Sequence, residues 1–303
     1  MAGRKRRTHK ISAEIPAKLM TKHENCDKCL PADEPNKPSN VNNKNDNVNE
    51  IERSHYFIKS DPKLRLGEDF FKQPCVSLAK AFLGKVLVRR CADGAELRGK
   101  IVETEAYLGG EDKASHSAGG KRTERNTAMF MKPGTIYVYP IYGVYLCMNV
   151  SSEGEGAAVL LRSLEPLQGQ SVMRELRAAK RRDGAKQVKD KELCNGPSKL
   201  CQALDIPRCF DRRDLASDPE VWLECVPGAG PEEVSNVVSA PRIGIESHGE
   251  WAKKPLRFYI LGHPCVSVRN KEAEELVQSE MIVNDLDSES ETGQHKVKRT
   301  PQK

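Results

Sequence analysis

Between about Leu64 and Arg269 apolar residues recur with two periods, and outside that span they thin out. Glu68–Leu83 carries Phe70, Phe71, Leu78, Ala79 and Phe82 at helical spacing and predicts one or two short helices ending at Gly84. Lys85–Arg90 and Leu97–Tyr107 predict two strands joined through Asp93-Gly94, a favourable hairpin dipeptide. Leu108–Pro133 has no period and predicts a long working loop. Thr135–Tyr139, Val144–Val150 and Ala157–Leu164 predict three more strands, Gln168–Lys186 a largely helical basic stretch, and Pro197 a helix start. Pro255–Tyr259 and Cys265–Arg269 predict a final strand pair. Strands mix with helices without a regular βαβ alternation. The expected fold is therefore α+β: one mixed domain at 61–269 with a curved, mostly antiparallel sheet flanked by helices.

The flanks differ in kind. Residues 1–60 and 270–303 are polar and charged, and segments like these bury too little apolar surface to offset the entropy of ordering, so both are expected to be disordered tails. They explain a hydrophobic content of only 38%. The 303 residues carry a formal charge of +6, and the charges of residues 1–55 and 270–303 cancel one another, which leaves the excess on the middle and suits a polyanionic partner. No apolar run approaches the roughly 18 residues that cross a bilayer, and the basic start lacks a signal's apolar stretch; no membrane association and a reducing compartment are expected. The ten cysteines then read as thiols, most of them small core residues. Arg4–Arg7 is a basic cluster of the nuclear-import type. Cys26 and Cys29 form a lone CxxC with only His23 nearby, too few ligands for zinc, so no metal or cofactor is expected.

Two places stand out as chemistry. Strict alternation along Leu97–Tyr107 puts Ile101, Glu103, Glu105 and Tyr107 on one face, either a solvent-facing edge or a site holding carboxylates. The run Tyr137–Tyr145 holds four of the seven tyrosines. Strand propensity explains Tyr137 and Tyr145, but Tyr142 falls in the turn, where an exposed aromatic has little packing reason to be. Aromatic faces that stack on bases are a recurring way to hold nucleobases.

Glu103-Thr104-Glu105-Ala106-Tyr107, the tyrosine-rich hairpin, Gly196-Pro197-Ser198-Lys199-Leu200 and Lys254-Pro255-Leu256-Arg257-Phe258 together resemble the alkyladenine (3-methyladenine) DNA glycosylase family, and the likeness runs from about Leu64 to Arg269. The resemblance implies a monofunctional enzyme that flips alkylated or deaminated purines out of duplex DNA and hydrolyses the N-glycosidic bond with an activated water. It implies Glu105 as water activator with Arg162 as its partner. Tyr107, His116 and Tyr139 would sandwich the base, Asn149 would crowd the amine of normal guanine, and Tyr142 would be the wedge that fills the vacated stack. Val144 departs from the family's frequent Met beside the wedge. The implied partner is double-stranded DNA with damaged purines, followed by base excision repair proteins, and the expected state is a monomer in the nucleus, with the mitochondrion as an additional location.

Two rival functions meet obstacles in the sequence. A zinc nucleobase deaminase would need Pro-Cys-x-x-Cys, but Val268 stands where the second Cys of Pro264-Cys265 should be. A non-catalytic damaged-DNA-binding protein would keep the basic surface and the wedge but would have no use for Glu105 with Arg162.

Overall fold

A computed structural model describes residues 64–180, 186–226 and 236–293, with side chains to Ile282. Arg4–Arg7, His23, Cys26 and Cys29 lie outside the described residues. In chain order the elements are α1 (Glu68–Phe71), α2 (Cys75–Ala81), β1 (Val86–Arg90), β2 (Glu96–Tyr107), β3 (Ile136–Ile141), β4 (Tyr145–Ser151), β5 (Ala158–Gln168), α3 (Gln170–Ala178), α4 (Asp190–Leu193), α5 (Pro197–Ala203), β6 (Val221–Glu224), β7 (Val237–Ala240), β8 (Arg257–Ile260) and α6 (Lys271–Gly293). The fold is α+β, and the eight strands form one open sheet in which each strand pair is antiparallel.

β2 is the spine. One of its edges pairs with β5 along nearly its full length. The other edge forks: residues Glu96–Lys100 pair with β1 and Glu103–Glu105 pair with β8, which in turn carries β7. The fork sets two carboxylates where three strands meet. α2, α3 and α5 cover one side of the sheet, and between them lies the main core of Phe71, Leu78, Phe82, Ile101, Leu161, Leu200 and their neighbours, all but closed to solvent. Burying a side chain of that size is worth about 1.5–3 kcal/mol, so this layer fixes where β2 sits.

Alternation along β2 is not strict. The β2–β5 register shifts at Ile101/Glu103 and Glu103/Thr104. Ile101 joins the main core with Ala106, while Val102 packs with Val238 and Tyr259 in a second cluster. The face expected to hold Ile101, Glu103, Glu105 and Tyr107 thus loses Ile101, because an extra residue at a bulge reverses the alternation beyond it.

One further expectation is corrected. Cys265–Arg269 is not a strand; β8 pairs with β2 and with the short β7, which the sequence pattern left unread. Pro264 removes a ladder donor next to that segment. Its backbone is also occupied: Ser267 donates its N–H to Glu103 at 2.8 Å and the Val268 carbonyl accepts from Arg257 at 2.7 Å. From Lys271 the chain continues as α6. Ala273 and Val277 pack against the second cluster, and Glu274 accepts from Arg269 and from the Tyr259 hydroxyl at 3.1 Å, so this first stretch is anchored by contacts that composition does not reveal. The eight cysteines among the described residues are free thiols, five of them buried. No helix among the described residues is long and apolar enough to cross a membrane.

Candidate active site

The last turn of β2 brings Glu105 and Tyr107 to the wall of a cavity of about 640 Å³. Glu105 is fully buried as a residue, which excludes the solvated-edge reading. Three donors converge on it. The Tyr107 hydroxyl donates to Oε2 at 2.9 Å, the Ile243 N–H donates to Oε1 at 2.8 Å, and Arg162 Nη1 lies 3.1 Å from Oε1. This is the complement that an acceptor-only carboxylate takes. Burial alone would lower the Arg162 pKa, but the facing Glu105 and Glu103 carboxylates overcome it and raise the guanidinium above its ordinary value. Burial, and then the Glu105 charge, lift the Tyr107 phenol well above its usual range, so it remains a donor.

The opposite wall is aromatic. Tyr137 and Tyr139 stack at 5.2 Å and 26°, and the His116 ring stands edge-on to Tyr139 at 4.5 Å and 82°. His116 Nδ1 is 2.9 Å from the Tyr137 hydroxyl. Burial among these walls, and then the Arg125 guanidinium, lower the His116 pKa to about 4. The cavity mouth leaves His116 exposed on one side and moderates that lowering, yet the direction is toward a neutral ring. Asn149 is buried at the back of the pocket and donates from Nδ2 to the Tyr137 carbonyl at 3.1 Å.

Tyr142 closes the β3–β4 hairpin at the cavity rim. Tyr142 and Gly143 both take positive φ, +50° and +74°, and Val144 donates to the Ile141 carbonyl at 3.2 Å, the pattern of a type I′ turn. Such turns favour Asn-Gly, and a left-handed Tyr costs on the order of 1 kcal/mol. Tyr142 is 91% exposed and Val144 beside it 75%, so burial returns nothing for that cost.

The structure thus brings Glu105, Arg162, Tyr107, His116, Tyr139, Asn149 and Tyr142 around one cavity. Sequence reading missed Ile243, which contributes through its backbone, and the residues that hold the two loops around it. Arg242 forms a fully buried ion pair with Asp112, with Nη2 at 2.8 Å from Oδ1, and lies 4.5 Å from the Tyr107 ring centroid. Asp112 also accepts the N–H groups of Leu108 and Ala114 and so shapes the start of the loop that carries His116. A lone Arg between Pro241 and Ile243 was the available signal.

Comparison with known proteins sets this geometry in context. The family model described as methylpurine-DNA glycosylase matches residues 69–264. The chain belongs to that family. It is 60% identical over 233 residues to the DNA-3-methyladenine glycosylase of Homo sapiens, covering 75% of this chain and 76% of the relative, and equally identical to that of Mus musculus, with 75% and 69% covered. A putative 3-methyladenine DNA glycosylase of Clostridium perfringens is 44% identical, with 67% of this chain and 99% of the relative covered. This methylpurine-DNA glycosylase family member is a DNA repair enzyme, a hydrolase of the N-glycosyl bond.

Proposed function

We infer that the cavity receives a purine flipped out of duplex DNA and that Glu105 activates the water that replaces it on the sugar. The convergence of three donors on a buried carboxylate facing an aromatic slot carries this reading. As the C1′–N bond lengthens, the sugar becomes cation-like. Glu105 takes a proton from water, which attacks C1′, and its negative charge steadies the cation; positioned base catalysis of this kind contributes roughly 10²–10⁴-fold. Arg162 and the Ile243 N–H hold the carboxylate in place. The products are free base and an abasic sugar, with no covalent protein–DNA intermediate, so base excision repair begins here and strand cleavage falls to other proteins.

Substrate choice follows from the slot. Tyr107, His116 and Tyr139 offer π-faces that attract electron-poor or cationic alkylpurines, and a neutral His116 avoids repelling them. A cationic purine leaves as a neutral molecule. The proposed range is 3-methyladenine, 7-methylguanine, ethenoadenine and hypoxanthine, with Asn149 crowding normal guanine. Tyr142 is proposed as the wedge: an exposed ring held in a costly turn conformation suits an element whose partner is the base stack. The Arg4–Arg7 cluster supports nuclear import.

A duplex carrying one ethenoadenine or hypoxanthine tests this. Release of the free base with no borohydride-trapped adduct is expected. A trapped adduct, or binding without release, contradicts it.

A further inference from the structure

Glu103 is buried beneath the site and does not itself line the cavity. Its contacts are all donors. Oε1 lies 3.2 Å from Arg162 Nε and 2.9 Å from Arg257 Nη1, and Oε2 accepts the Ser267 N–H at 2.8 Å. Arg162 therefore sits between two carboxylates, Nε toward Glu103 and Nη1 toward Glu105, while Nη2 donates to the Ser267 hydroxyl at 3.3 Å. Arg257 stands opposite Glu105 in the β2–β8 register and donates from Nε to the Pro241 carbonyl at 2.8 Å, two residues before Ile243. Two of the three donors that end on Glu105, the Arg162 guanidinium and the Ile243 N–H, trace back to Glu103.

We propose that Glu103 and Ser267 form a positioning cradle that sets the angle at which Arg162, and through Arg257 the Ile243 N–H, present themselves to Glu105. The proposal rests on the reading of Glu105 and Arg162 as catalytic. A guanidinium is planar, and three of its nitrogens are engaged by three separate groups, so its plane is fixed and it can meet Glu105 in only one orientation. The four charges of Glu103, Glu105, Arg162 and Arg257 balance, which lets them be buried together. Removing the Glu103 charge leaves Arg257 without its carboxylate partner and frees Arg162 Nε, so that the Arg162 guanidinium can rotate against Glu105. None of these changes touches the aromatic slot.

The cradle predicts a split between chemistry and binding. In single-turnover base release from an ethenoadenine duplex, Glu103→Gln should slow release on the order of 100-fold, the scale of a misplacement of about 1 Å. Affinity for the same duplex, measured with Glu105→Gln as the reference binder, should match wild type. Ser267→Ala removes only the hydroxyl and keeps the N–H. It should fold and melt as wild type, with a smaller loss of rate and the same affinity, and it decides the matter where Glu103→Gln fails to fold. Wild-type release by Ser267→Ala, or a parallel fall of rate, affinity and melting temperature in Glu103→Gln, overturns the cradle. If Glu105→Gln itself releases base at the wild-type rate, the catalytic reading fails first. An inactive Glu105→Gln beside fully active cradle variants removes the cradle alone.

Discussion

The Tyr107 hydroxyl donates to Glu105 Oε2 at 2.9 Å, between two side chains on the same face of one strand. One phenol thereby serves two purposes: its ring walls the cavity and its O–H fixes the carboxylate. Tyr107→Phe separates them. The ring remains for stacking, while a hydrogen bond to a charged group, worth about 1.5–3 kcal/mol, is lost. Base release should slow roughly 10- to 100-fold with affinity for the lesion duplex unchanged. Weakened binding with unaltered release would show that the hydroxyl has no part in the chemistry.

Tyr142 offers a second separation, between stability and function. Tyr142→Asn installs the Asn-Gly pair that type I′ turns favour, and the hairpin should gain on the order of 1 kcal/mol in chemical denaturation. Base extrusion, followed by the fluorescence of a base analogue in the duplex, should weaken. Undiminished extrusion would remove Tyr142 as the wedge.

Much of this was legible in the sequence, and what was not has a common cause. β1 to β5 follow from apolar runs bounded by turn residues, and Tyr142 was conspicuous as an aromatic in a turn. β6, Val221-Trp222-Leu223-Glu224, is buried at all four positions but is only four residues long, too short a run to stand out. The charged groups under the site defeated local reading altogether. Asp112 with Arg242 and Glu103 with Arg257 pair across 130 and 154 positions, and no period links residues so far apart. Glu103 looked like the neighbour of Glu105 on a polar face, whereas the fork in the sheet buries it. Ile243 acts through a main-chain N–H, which any residue but proline could supply.

The Asp112–Arg242 pair joins the loop bearing His116 to the one bearing Ile243, and both side chains are wholly buried. Asp112→Asn or Arg242→Met leaves one charge uncompensated, which costs about 3–5 kcal/mol. Each single variant should melt well below wild type, and the double variant should recover part of the loss. Singles that melt like wild type would mean that the pair does not hold the loops.

His116 sets an acid limit. Its folded pKa, about 4, lies below the ordinary 6.5, so the unfolded chain binds the proton more readily between those values. The stability tied to the neutral ring is complete above pH 6.5 and is lost as pH falls toward 4. The His116 ring resonances should titrate below pH 6.5 in an NMR titration, and His116→Gln should flatten the fall of melting temperature over that window. Titration at or above 6.5 would place the ring in a solvated setting.

In the proposed division of labour, Glu105 performs the chemistry while the aromatic slot performs the binding. Single-turnover release of ethenoadenine from a duplex, run beside a binding titration of the same duplex, measures both at once. Glu105→Gln keeps the shape of the side chain and removes the base. Affinity should match wild type while release falls by roughly 10²–10⁴-fold. Release by Glu105→Gln at the wild-type rate would contradict it.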